Sequence, residues 1–177
     1  MVRVLSGCVV RGRPNPKFKT FPARLGRARK AAGLSYASLA EAAGLTSATA
    51  HALENGGNLP RIDTVEKLAR ALNLSPCWLA FGLDAPQVAD GLALCTGFPV
   101  RLREAREAGG LSMREAARRT ETSPTLISSA EAGDTMPNLA KLEALAKGLG
   151  VSACWLAFGV GPRELSKRRQ SVATAAP

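Results

Sequence analysis

The chain has 177 residues, enough for one ordinary domain or two small ones, and its 46% hydrophobic content excludes wholesale disorder. Lys and Arg number 24 against 14 Asp and Glu. This net charge of +10 suits a polyanion, and no apolar run nears the roughly 18 residues that would favour a membrane span. Four scattered cysteines without a Cys-x-x-Cys pair, and a single histidine, argue against a zinc site, a redox pair, a disulfide scaffold and a hydrolytic centre, so neither a cofactor nor enzyme activity is expected.

Residues 1–20 read as a basic arm carrying +5. Arg11, Arg13, Lys17 and Lys19 stand among Gly12, Pro14 and Pro16, which oppose a helix. Such an arm either solubilises the chain or reaches for phosphates. Leu5-Ser6-Gly7-Cys8 has the form of a lipoprotein cleavage box, but only seven residues precede Cys8, and Arg3 is among them. That is too short and too charged for an apolar leader of about 7–15 residues.

Five short helices are predicted over residues 21–83. Pro22 opens the first, with Leu25, Ala28 and Ala32 inward, and Gly33 stops it. Ser35 caps the second, which runs to about Ala43 with Leu39 and Ala40 inward. Gly44 closes it in the left-handed conformation that glycine adopts cheaply. Thr46 caps the third, about 47–54. The fourth follows Pro60 and carries Ile62, Val65, Leu68, Ala69 and Leu72 at helical spacing. Ser75-Pro76 caps the fifth, which holds Trp78, Leu79 and Phe81.

After a linker, 84–97, the pattern returns at a constant offset of 77. Phe-Pro-Ala-Arg-Leu at 21–25 becomes Phe-Pro-Val-Arg-Leu at 98–102, and Cys-Trp-Leu-Ala-Phe-Gly at 77–82 recurs at 154–159. Residues 21–83 and 98–160 are identical at 25 of 63 positions without a gap, so the domain is duplicated. In the second copy Ser112 and Glu115 form a capping box, and Ser123-Pro124 supplies a cap followed by a first-turn proline. Residues 161–177 are a basic tail of disordered composition. The expected fold class is all-α, two tandem five-helix domains.

Helices two and three, with the turn between them, meet the requirements of a helix-turn-helix. Ala40 and Ala117 let the next helix cross closely, and Gly44 supplies the positive φ of the turn. Ala50 and Leu53 face the core in one copy, Ile127 and Ala130 in the other, so the large-small order swaps and volume is roughly kept. The run Arg29, Gly33-Leu34-Ser35, Ala40, Gly44-Leu45-Thr46, Glu54, Gly56 and Pro60 resembles the lambda-repressor/Cro (XRE-type) DNA-binding domain. Arg106, Gly110-Leu111-Ser112, Ala117, Glu131, Gly133 and Pro137 repeat the resemblance. It covers both repeats and implies helix three in a major groove and two half-sites on the DNA. It also implies structural ion pairs, Arg29 with Glu54 and Arg106 with Glu131.

The resemblance assigns base reading to Ser47, Ala48, Thr49, His51, Ala52, Asn55 and Asn58, and in the second copy to Thr125, Ser128 and Ser129, with Pro124, Leu126, Ala132 and Thr135 at the remaining positions. Neither recognition helix holds Arg, Lys or Gln; the first copy keeps Ser47, His51 and Asn58 as readers, and the second, with fewer and with Glu121 in place of the turn glycine, is expected to read less well. Expected phosphate contacts are Arg11, Arg13, Lys17, Lys19, Arg24, Tyr36, Arg101 and Arg114. Trp78, Phe81, Trp155 and Phe158 either cap their own domains or pair domains, within the chain or in a homodimer. Fourteen linker residues extend to about 46 Å, beyond the ~34 Å between half-sites one turn apart, so both copies reach one duplex.

The expected function is sequence-specific binding of double-stranded DNA by a bacterial or phage-type transcriptional regulator, a repressor, in the cytoplasm and without a membrane partner. The alternative is an antitoxin or anti-repressor-like module that uses the same fold to hold a protein.

Overall fold

The computed structural model describes residues 20–83 and 94–164. Ten α-helices order the described residues: α1 (Phe21–Ala31), α2 (Tyr36–Ala43), α3 (Ser47–Glu54), α4 (Ile62–Ala71), α5 (Pro76–Phe81), α6 (Phe98–Ala108), α7 (Met113–Arg119), α8 (Pro124–Ala132), α9 (Leu139–Leu149) and α10 (Ala153–Phe158). A 3₁₀ turn, Leu94–Gly97, leads into α6. Two isolated bridges are the only extended pairing among the described residues.

The helix starts follow local chemistry. Ser35 accepts from the Ser38 amide, Thr46 from Thr49, Ser75 from Trp78, Ser123 from Leu126, and Ser112 and Glu115 cap each other reciprocally. Helix α1 ends at Ala31, so Ala32 is its exposed C-cap rather than part of the inner face.

Leu25, Leu39, Leu53, Ile62, Val65, Leu68 and Leu79 of the first copy and Phe98, Leu102, Ile127, Leu142, Leu145, Leu156 and Phe158 of the second are buried in one continuous hydrophobic cluster. Ala50 and Leu53, Ile127 and Ala130 are all buried, as the swapped sizes require. A second compensation lies behind α7. Thr120 stands where the first copy has Ala43, and Gly148 stands where it has Ala71. A Cβ on Gly148 would lie 2.6 Å from the Arg119 carbonyl oxygen and 2.7 Å from Thr120 Cγ2. The bulkier helix end therefore requires the smaller residue opposite it.

The two copies pack on one another through α5 and α10, and through the segments that precede α4 and α9. The turn before α6 also rests on the first copy, where the Cys95 amide donates to Glu66 Oε2 at 2.8 Å.

Candidate nucleic-acid interface

In the first copy α3 is tied to its neighbours by one charged and aromatic cluster. Arg29 Nε and Nη2 each donate to Glu54 at 2.7 Å, and both side chains are 11% exposed. Arg29 Nη1 also donates to the Leu34 carbonyl at 2.8 Å. The guanidinium lies 4.1 Å from the centre of the Tyr36 ring, and the Tyr36 hydroxyl donates to Glu54 Oε1 at 3.2 Å. Tyr36 in turn meets His51 edge-on, with ring centres 5.1 Å apart. The hydrogen bond from Arg29 holds the Glu54 carboxyl below the usual carboxylate range. The same bond raises the Arg29 guanidinium.

The second copy keeps the ion pair and loses the rings. Arg106 donates to Glu131 at 2.6 and 3.0 Å, and the Glu131 side chain is 2% exposed. Arg103 adds a third contact to Glu131 at 3.5 Å. Met113 and Ser128 stand where Tyr36 and His51 do, so α8 has no aromatic brace.

The expected reading residues lie together on one side of α3. Ser47, Ala48 and His51 are exposed, and Ala48, Thr49 and Ala52 line a depression with Leu53 and Asn58. Asn55 is exposed, but its amide donates to the His51 carbonyl at 2.8 Å and closes the end of α3. Thr49 shares a 2.8 Å hydroxyl contact with Thr46. On α8, Thr125 and Ser128 are exposed and Ser129 is half-buried. Glu121 adopts φ +51 where Gly44 has +61, so the second turn closes with a side chain in a conformation that favours glycine.

Three expected phosphate contacts are otherwise engaged. Arg24 is buried at 5% exposure. Its Nε donates to the Leu79 carbonyl at 2.8 Å and its Nη2 to that of Ala80. Arg101 does the same in the second copy, to Leu156 at 2.9 Å and Ala157 at 2.7 Å. These arginines satisfy the last carbonyls of α5 and α10, which their own helices leave without donors. Gly82 takes φ +68 against Arg24, and a Cβ there would sit 3.2 Å from Nη1. Tyr36 is half-buried, with its hydroxyl given to Glu54. Arg114 is exposed, while Arg11, Arg13, Lys17 and Lys19 lie outside the described residues.

The aromatic residues expected to cap or pair the domains are unequally buried. Phe158 is buried in the core and Phe81 is half-buried. Trp155 is half-buried with the Arg163 guanidinium 5.2 Å from its ring centre, so part of this indole is covered from the chain's own Arg163. Where α5 meets α10 the thiols of Cys77 and Cys154 interact, and that contact, with burial, pushes Cys77 up. Burial and then Glu66 push the Cys95 thiol up to about 12. Protonated, buried thiols are poor nucleophiles.

A family model described as helix-turn-helix matches twice, over residues 25–79 and 102–156. The chain belongs to the XRE-type helix-turn-helix family. The first matched stretch contains α2–α3 and the second α7–α8. The HTH-type transcriptional regulator PrtR of Pseudomonas aeruginosa is 36% identical over 83 residues, 47% of this chain. The match spans about a third, 32%, of that relative's length. Among the described residues no helix is long and apolar enough to cross a membrane, and no group of His, Cys, Asp and Glu could hold a metal ion.

Proposed function

We propose that this helix-turn-helix protein is a sequence-specific double-stranded DNA-binding transcriptional regulator that acts as a repressor, working on the chromosome in the cytoplasm. The observation that carries this reading is the division of labour on α3. Ala50 and Leu53 serve the core, Glu54 serves the brace, and Ser47, Ala48 and His51 are left exposed beside Asn58. A helix held this firmly, with polar groups turned outward, suits the major groove. The likeness to a transcriptional regulator supports the same reading. In this reading the first copy is the better reader, because Ser47, His51 and Asn58 face Pro124, Ser128 and Thr135 in the second.

The test is an electrophoretic shift with the DNA upstream of the chain's own gene. Replacing Ser47, His51 and Asn58 together by Ala should abolish sequence preference and leave much of the non-specific affinity. The matching changes at Pro124, Ser128 and Thr135 should cost under about 1 kcal/mol. Equal or greater damage from the second set overturns the ranking. A second reading rests on the absence of Arg, Lys and Gln from both recognition helices: the surface would then hold a protein, as in an antitoxin or anti-repressor. Absence of any shift at low salt favours that partner.

A further inference from the structure

The contacts between the copies come in reciprocal pairs. The Ile62 amide donates to the Pro137 carbonyl at 3.1 Å, and the Leu139 amide donates to the Pro60 carbonyl at 3.1 Å. Ile62 and Leu139 are equivalent in the repeat, as are Pro60 and Pro137. Between them Arg61 and Asn138, also equivalent, form an antiparallel bridge. Cys77 meets Cys154, its own equivalent. Burial lowers the guanidinium of Arg24 against the opposing charge of Glu143, and burial lowers that of Arg101 with Glu66 among the opposing groups. Arg24 and Arg101 are equivalent, and so are Glu66 and Glu143.

Contacts in which one residue meets the equivalent of another, and the converse also holds, are the mark of a two-fold axis. Homodimers have that axis between chains. This protein has it inside one chain, passing between Arg61 and Asn138. A two-fold rotation keeps height along its axis, so α3 and α8, equivalent in the repeat, stand at the same level on opposite sides of it.

We infer that a single chain is a complete two-headed reader whose ligand is duplex DNA carrying an interrupted inverted repeat with two unlike half-sites at one fixed spacing. The inference rests on the DNA-binding reading above. Two recognition helices related by a two-fold axis call for inverted half-sites, since operator symmetry mirrors protein symmetry. Unlike half-sites follow from Ser47, Thr49, His51 and Asn58 facing Pro124, Leu126, Ser128 and Thr135 at equivalent positions. Fixed spacing follows from the seam: backbone hydrogen bonds and buried side chains hold the copies together, so they do not move as two domains on a tether.

The test selects binding sites from random duplexes with the full-length protein and then varies the spacing of the selected site. The expected selection is two unequal blocks in opposite orientation, with one chain per duplex by native mass spectrometry. Inserting about half a helical turn or about one whole turn, roughly 5 or 10 base pairs, between the blocks should lower affinity at least about tenfold, to that of one block alone. A whole-turn insertion that keeps its affinity overturns the rigid pair in favour of tethered copies. A single block, or a symmetric pair bound by two chains, overturns the inference while sequence-specific DNA binding stands. No enriched sequence at all overturns the DNA-binding reading, and the inference with it.

Discussion

At the scale of single residues, two arginines on α1 hold the domain together. Arg29 needs Glu54, because a guanidinium this far from water is costly without its carboxylate. Glu54→Ala should therefore cost about 3 kcal/mol in urea denaturation. The pair also sets an acid dependence. Its contribution is complete above the ordinary Glu value of about 4.3 and is lost as pH falls through the lowered folded-state value. Wild-type protein should lose stability on acidification more steeply than Glu54→Ala, and equal slopes would contradict this. Arg24 has a different task. Arg24→Met keeps the buried stem but strips donors from the Leu79 and Ala80 carbonyls, at a cost of about 1–3 kcal/mol. Its salt dependence of DNA binding should match wild type, whereas loss of a phosphate contact would lower the slope by about one.

At the scale of elements, the two helix-turn-helix units differ in the residue that makes the turn. Glu121 is exposed at φ +51, so Glu121→Gly should raise stability by about 1 kcal/mol, read as a higher urea midpoint. A lower midpoint would mean that the Glu121 side chain holds the turn. Helix starts were legible in the sequence because capping is local: Ser35, Thr46, Ser75, Ser112 and Ser123 each bond an amide three residues on. The direction of each basic side chain on α1 was not, since helical periodicity does not say which arginine folds inward. A signal was nonetheless present. Arg24 and Arg29 recur as Arg101 and Arg106, whereas Arg27 and Lys30 become Glu104 and Glu107. The recurring arginines are the ones committed to the scaffold. The brace of Tyr36 on His51 gave no such signal, because Met113 and Ser128 do not repeat it.

At the scale of the whole molecule, much of the basic charge lies outside the two folded copies. Removing residues 1–17, which carry Arg3, Arg11, Arg13 and Lys17, should weaken DNA binding at all sequences alike and flatten its salt dependence by up to four counterions. An unchanged slope would show these charges to be idle. The backbone part of the seam between the copies was the least legible feature. Its hydrogen bonds use the backbone of Pro60, Ile62, Pro137 and Leu139, and a main-chain amide leaves no mark on side-chain pattern. That seam has a consequence for how recognition can change. In a symmetric homodimer each codon is expressed twice, so any substitution alters both half-sites together and an operator must change in two places at once. Here the partner surfaces are encoded separately. Codon 51 specifies His and codon 128 specifies Ser, so in the proposed two-headed reader either can drift while the other stays unaltered.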